Sequence, residues 1–461
     1  MSIPQSTDVL VIGGGPAGSS TATLLARAGL SVTLLERESF PRYHIGESLL
    51  PSCPEFLELL GARGKVEDFG FQRKYGGFFD WGDEEWQVHF RDITTFGHAG
   101  YSWQVSRAEF DLLMLEHSRS QGVDVHEGVS VESVAFEDGR AVAARWVGPE
   151  RSGRIAFRHV VDASGRHGVL GRRHFRMRRY HEVFKNIGVW GYWKDYGPLP
   201  DGSPEGATSN VSLPYGWLWG IPLRNGTLSV GLVTSTQDFQ RLLAGHRSME
   251  EVYLAALRES AMAGRLEGAA LVSEVRAESD YSYVADRFCG PGWFLAGDAA
   301  CFLDPLLSTG VHLAMFSALL AASTIASLSR GEVPEEDASA FYQAAYRHVY
   351  ERFLVLVSVV YESSLGRDTY FFQAQRLTAG EVDRLDLHQS FVSIVSGVED
   401  LDDIRTLAFG GTDPMKFGTR HRHAVSSMVH NWDGFIQMPR SLVDSGLSLR
   451  TEPGIGIARE P

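Results

Sequence analysis

Residues 9–36, VLVIGGGPAGSSTATLLARAGLSVTLLE, limit what this chain can fold into more than any other stretch. Val9-Leu10-Val11-Ile12 is a short apolar run of the kind that forms a strand buried on both faces. It breaks into Gly13-Gly14-Gly15-Pro16-Ala17-Gly18, and a helical pattern follows over 17–28. Gly29 ends that helix, and 31–35 is a second strand finishing at Glu36. The spacing G-x-G-x-x-G falls on Gly13, Gly15 and Gly18. These supply a tight turn, close approach of backbone to a pyrophosphate, and close packing of helix on strand. The pyrophosphate would rest on the free N–H groups opening the helix, and Glu36 lies where a carboxylate accepts from a ribose hydroxyl. Glycine spacing alone is a weak signal. With both strands, the helix and the terminal acid in order, it predicts a βαβ dinucleotide site. It leaves the chemistry open.

A chain of 461 residues can hold two or three domains, and 44% apolar with 22% charged residues is ordinary for a soluble globular protein. The formal charge of −14 argues against nucleic acid or an anionic membrane as a partner. Arg172, Arg173, Arg176, Arg178 and Arg179 nevertheless crowd one short span, where an acidic protein could dock; a solvated basic turn reads the same way. Cys53, Cys289 and Cys301 are too scattered for a disulfide framework or a metal site. No signal-peptide pattern precedes the first strand. The apolar stretch 311–328 is interrupted by His312, Ser317, Ser323 and Thr324, which suits a buried helix better than a membrane span. The expected compartment is cytoplasmic.

Along the chain, 75–81 and 86–90 read as strands, 107–121 as an amphipathic helix, and 123–127, 130–136 and 140–147 as a β-meander. Residues 159–165 return a strand to the dinucleotide sheet. Strands rich in aromatics follow at 187–193, 208–214, 217–221 and 228–234, with helices at 236–245 and 249–261. The expectation is an α/β protein: a Rossmann-like, discontinuous dinucleotide domain over 1–180 and 271–330, an antiparallel β-sheet domain over 181–270 facing a substrate cavity, and a mainly helical region over 331–461. The last 60 residues carry no clear pattern.

A second cofactor signal is Leu295-Ala-Gly-Asp298-Ala-Ala, an apolar strand delivering a carboxylate to the end of the sheet where ligands bind. With Asp162-Ala-Ser-Gly165 and Arg107 it resembles the flavoprotein monooxygenase superfamily, of the FAD type, in which the Gly-Asp pair meets the flavin ribityl chain. That resemblance implies an FAD site built from Gly13, Gly15, Ala17, Gly18, Glu36, Arg37, Gly46, Ser48, Arg107, Asp298, Pro305 and Gly310. Ser308-Thr309-Gly310 opens the long helix, and its free N–H groups would stabilise a negative charge beside the flavin. That charge is either the reduced flavin or a bound halide.

Gly216-Trp217-Leu218-Trp219-Gly220-Ile221-Pro222 places two tryptophans on one face of a strand. Alone, it reads as core. W-x-W-x-I-P behind a flavin fingerprint resembles the flavin-dependent halogenases, and so does Lys74 in Arg73-Lys74-Tyr75-Gly76-Gly77. Gly46-Glu47-Ser48-Leu-Leu-Pro51, Asp280-Tyr-Ser-Tyr283 and the segment 304–313 also look like segments of that family. The resemblance spans roughly 5–400. It implies that a separate flavin reductase supplies reduced FAD, and that O2 and chloride then yield hypochlorous acid at the flavin. The chloride would lie near Ser308, Thr309 and Gly310. Lys74 would meet the oxidant in the cavity, either polarising it as a protonated donor or forming a chloramine as a neutral amine. Trp217 and Trp219 would keep the organic substrate off the flavin. No metal is implied.

One departure bears on the substrate. Halogenases of free tryptophan carry a glutamate just before Ser-Thr-Gly; this chain has Leu307. Tyr370-Phe-Phe-Gln373 and the segment 391–397 look closer to halogenases of tyrosyl or hydroxyphenyl groups on peptidyl carrier proteins, as in antibiotic biosynthesis. The expected substrate is therefore a phenol tethered to a carrier, with a free phenol or a pyrrolyl thioester still open. The competing readings are an FAD-dependent aromatic hydroxylase, and a flavoprotein that makes no organic product.

Overall fold

The computed structural model describes residues 2–92, 99–361, 396–406 and 446–459. Two sheets dominate them. In the first, the strands Cys289–Gly290, Trp293–Leu295, Ser152–Asp162, Ser6–Ile12, Val32–Leu35 and Asp124–His126 lie side by side. Ser6–Ile12 is central and parallel to both neighbours, with Val9 opposite His159 and Val32. Its Val9, Leu10 and Val11 are fully buried, which is why that segment carries no polar alternation. The helices Pro16–Arg27 and Gly310–Arg330 pack against each other beside it.

The expected meander differs in its first member. Asp124–His126 pairs in parallel with Val32–Leu35, and the helix Arg107–Ser120 precedes it in the chain. The antiparallel arm begins instead at Ser130–Glu137 and runs through Arg140–Val147 into Ser152–Asp162. Parallel partnership of so short a strand is decided by tertiary packing around buried Val125, which local pattern does not encode.

The second sheet runs Cys301–Phe302, Arg276–Ala285, Arg178–Lys194, Leu228–Ser235, Gly216–Pro222, Thr208–Leu213, Gly76–Trp81 and Glu84–His89, with Ala270–Leu271 beside Arg178–Lys194. It thus draws strands from before 181 and after 270 into the expected substrate sheet. Its two faces serve two cores. Val189, Leu218, Val230 and Leu232 pack with Phe239, Val252 and Tyr253 of the helices Thr236–Ala244 and Met249–Arg258. Trp190, Trp217, Trp219 and Val233 point the other way, into the core shared with the first sheet. Trp219 lies flat across Gly231, where a Cβ would come within 2.0 Å of its ring.

The helix Gly310–Arg330 is long and apolar enough to cross a membrane, but it is buried in the protein along nearly its whole length. The helix Glu335–Tyr361 follows, and Val398–Thr406 lies farther on. A hairpin of Leu447–Arg450 and Gly456–Arg459 closes the described chain, tied to the long helix through Ser327 and Ile457, whose N–H donates to the Ser327 hydroxyl at 2.9 Å. Neither strand of it stood out in the sequence.

Candidate functional site

At the carboxyl end of the first sheet the glycine turn has the shape its spacing implies. Gly13 sits at φ +104°, and a Cβ there would lie 2.4 Å from the Ala163 carbonyl oxygen. A Cβ at Gly18 would lie 1.8 Å from the Gly13 carbonyl oxygen, so helix and strand touch through backbone alone. Ala17 is buried in the first helical turn, which has Pro16 at its head and no side-chain cap on its amides. Glu36 is buried; its carboxylate accepts from the Gly14 N–H at 2.6 Å and the Glu38 N–H at 2.8 Å. Arg37 is exposed and paired with Glu38.

Arg107 anchors the opposite wall. Its guanidinium forks onto Asp111 at 2.8 and 3.0 Å and donates to the carbonyls of Ile45 and Gly46, while Arg42 joins the same carboxylate at 3.1 Å. This holds Gly46, at φ +100°, against the helix Arg107–Ser120. Asp298 follows Gly297, whose Cβ position would lie 3.0 Å from Ala17. Burial pushes the Asp298 carboxyl up to about 6, against the pull of Arg166, Arg107 and Arg178. Among the described residues it accepts no hydrogen bond. An uncapped helix start and an unpartnered, desolvated carboxylate suit the diphosphate and the polyol of a flavin dinucleotide.

Beyond it, Asp304 caps the turn Pro305–Leu307, with Pro305 exposed. Ser308 follows at φ +58°, a left-handed conformation uncommon for a residue with a Cβ, and it turns the chain into the helix at Gly310. Among the described residues the buried Thr309 hydroxyl has no hydrogen-bond partner, and around Gly310 a Cβ would meet nothing within 4 Å. An orphaned donor beside an open helix N-terminus suits a small anion.

Lys74 ends the strand Gln72–Lys74, which pairs with Ser102–Gln104 just before the second sheet begins at Gly76. Its ammonium is buried, donates to the Ser48 hydroxyl at 2.8 Å and the Leu49 carbonyl at 3.3 Å, and stands over the Phe90 ring. Ser48 in turn meets the Thr208 hydroxyl, to which Gln104 donates. No carboxylate pairs with Lys74 among the described residues, and burial lowers its value from 10.5 to about 7. The unfolded chain therefore holds this proton to higher pH than the folded one. Folding stability should rise from about pH 7 to about pH 10, and chemical denaturation of Lys74→Met should lose that slope.

Trp217 and Trp219 are buried with ring centres 6.1 Å apart. Trp219 donates to Ser229, and Trp217 donates to the Tyr361 hydroxyl at 2.8 Å. Tyr361 and Asn186 both donate to Asp304, so one network joins the aromatic strand to the turn before Ser308. Behind the same turn, His312 lies between the Ser52 hydroxyl at 2.8 Å and Asp400 at 2.7 Å, with Arg352 bridging Asp400 and Asp403. Asn186, Tyr361 and the group around His312 gave no sequence signal, because each joins segments far apart in the chain. The tyrosine segment 370–373 and most of 391–397 lie outside the described residues. Leu307 is buried.

The tryptophan halogenase family model matches residues 8–99 and 87–403. A tryptophan 2-halogenase of Chondromyces crocatus is 44% identical over 412 residues, covering 87% of this chain and 78% of the relative. Sulochrin halogenase gedL of Aspergillus terreus is 37% identical over 441 residues, covering 87% and 79%. Among solved structures, the myxobacterial chondrochloren halogenase CndH, a variant of FAD-dependent halogenases, aligns with TM-score 0.71 and 31% identity over 96% of each chain. The flavin-dependent brominase Bmp2, as a triple mutant, aligns with TM-score 0.76 at 24% identity and bears on the fold alone.

Proposed function

This chain belongs to the tryptophan halogenase family, a group of flavin-dependent halogenases that use FAD, and from that premise we propose how its own residues act and on what. Bound FAD, reduced by a separate reductase, supplies the reducing power with which O2 oxidises chloride. The glycine turn, Glu36 and Arg37 hold the adenosine and diphosphate end, while Gly46, Ser48, Arg107, Asp298 and Pro305 line the remainder. Thr309 and Gly310 offer the halide a hydroxyl and an N–H that lack other partners among the described residues. Lys74 takes up the hypohalous acid and presents electrophilic halogen to the ring. Trp217 and Trp219 wall the ring off from the flavin.

The observation carrying this reading is Lys74. An amine buried without a carboxylate partner among the described residues, and present in both protonation states near pH 7, can donate a hydrogen bond or accept the halogen. With Leu307 buried where free-tryptophan enzymes place a glutamate, that position offers no base for the ring proton. A phenol needs least help there, since its own oxygen stabilises the ring cation. The substrate is therefore a phenolic ring, and the likeness of segments 370–373 and 391–397 to carrier-type halogenases supports one carried on a peptidyl carrier protein. One finding favours a second reading, an indole: the relative at 44% identity is a tryptophan 2-halogenase.

The test supplies protein, a flavin reductase, FAD, O2 and chloride or bromide to carrier-tethered phenols, free phenols and free tryptophan, with mass spectrometry of products. Halogenated tethered phenol is expected. Equal turnover of the free phenol removes the tether, halogenated tryptophan alone favours the indole, and a hydroxylated product overturns the chemistry. For the halide site, Thr309→Val should raise the KM for halide by about 10-fold while FAD affinity and thermal stability hold, because it removes a hydroxyl with no other partner.

A further inference from the structure

Glu47 lies between Gly46 and Ser48, yet its carboxyl has no role in the account above. Its backbone is fixed, since the Val105 N–H donates to the Glu47 carbonyl at 2.7 Å. Its side chain is buried. Oε1 accepts from the Tyr192 hydroxyl at 2.8 Å, and the buried Oε2 has the Ser229 side chain near it but no well-formed hydrogen bond among the described residues. The Tyr192 hydroxyl stands 2.9 Å from that of Tyr43, and Tyr43 accepts from the Trp190 indole N–H at 2.6 Å. Tyr43 is 44% exposed, with Arg276 stacked on its ring.

The direction of this chain follows from its ends. An indole nitrogen only donates, so Tyr43 accepts from Trp190. Tyr192 spends its hydrogen on Glu47, so the Tyr43 hydrogen points at the Tyr192 oxygen. Every hydroxyl from the exposed ring inward thus aims its proton toward Glu47. Strand Arg178–Lys194 brings Tyr192 to the carboxyl, Leu228–Ser235 brings Ser229, and the helix Arg107–Ser120 brings Arg107.

We propose that Tyr43, Tyr192 and Glu47 form a proton inlet from solvent to the flavin crevice, with Glu47 as its inner terminus. The inference rests on the halogenase reading, whose balance requires such an inlet. For halide X⁻ and substrate ArH, FADH2 + O2 + X⁻ + ArH + H⁺ gives FAD + ArX + 2 H2O. Two electrons from the flavin and two from the ring carbon reduce O2, and one proton comes from solvent, or two if the flavin arrives as its monoanion. Burial holds the Glu47 carboxyl up at about 7, against the pull of Ser229, Tyr192 and Arg107, so it can both hold and release a proton near neutrality.

The experiment has one arm without flavin and one with it. In the flavin-free protein, infrared spectroscopy across pH should find a protonated carboxyl band that titrates near pH 7 and is missing from Glu47→Gln. In the reduced, flavin-loaded protein mixed with O2 and halide, a pH-indicator dye follows proton uptake. Glu47→Gln and Tyr192→Phe should each slow uptake by about 10-fold or more at unchanged FAD affinity. If Glu47→Gln fails to bind FAD, Tyr192→Phe decides. Uptake at the wild-type rate in Tyr192→Phe, or a band that survives Glu47→Gln, overturns the inlet. A slowed uptake with a hydroxylated product would leave the inlet standing and sink the halogenase reading.

Discussion

Lys74→Met is expected to lose halogenated product by roughly 10³-fold or more while still binding FAD and still consuming O2. The methionine fills nearly the same volume among Ser48, Leu49 and Phe90 but offers neither a hydrogen-bond donor nor an amine. Hypohalous acid would then leave unused, so bleaching of a trap such as monochlorodimedone should speed up as ring product falls. The variant should also fold at least as well as the native chain below pH 7, because it removes a buried charge that lacks a carboxylate partner. Retained halogenation at the native rate would take Lys74 out of the chemistry.

Arg352→Met is expected to cost about 3–5 kcal/mol of unfolding free energy, read by denaturant titration. Arg352 is buried and bridges Asp400 and Asp403; without it the buried Asp400 carboxylate loses its guanidinium partner and keeps only the His312 ring at 2.7 Å among the described residues. In the native chain burial, and after it Arg352, lower His312 to about 3, so the imidazole there is neutral and Arg352 supplies the positive charge that Asp400 meets. A loss below about 1 kcal/mol would mean that this cluster is dispensable to the fold.

The dinucleotide half was legible because its signals are local. Gly13, Gly15 and Gly18 answer to one turn, and Val9 to Ile12 to one doubly covered strand. The tryptophan strand was legible as a motif, but its register over Gly231 was not, since that depends on a residue twelve positions farther along on a neighbouring strand. The pairing of Asp124–His126 with Val32–Leu35 and the hairpin at Leu447–Arg459 were hidden for the same reason: short segments take their partners from packing. At the site, Lys74 was visible only through its motif. Nothing local says that Ser48 and Leu49 close over it, or that Tyr361 ties Trp217 to Asp304. Glu47 belongs to a motif segment, and only its burial and Tyr192 of a distant strand give it a distinct chemistry.

The interleaving of the second sheet limits how such a molecule can be re-engineered. A chimaera that exchanges residues 181–270 with a relative would transplant the middle of a continuous sheet. Its outer neighbours, Gly76–Trp81 on one flank and Arg276–Ala285 on the other, would stay behind. Both seams would fall along hydrogen-bonded ladders, where a slip of one residue turns the Trp217 and Trp219 face away from the core it shares with the first sheet. New substrate scope is therefore more accessible through point changes on the inward face of these strands than through module exchange.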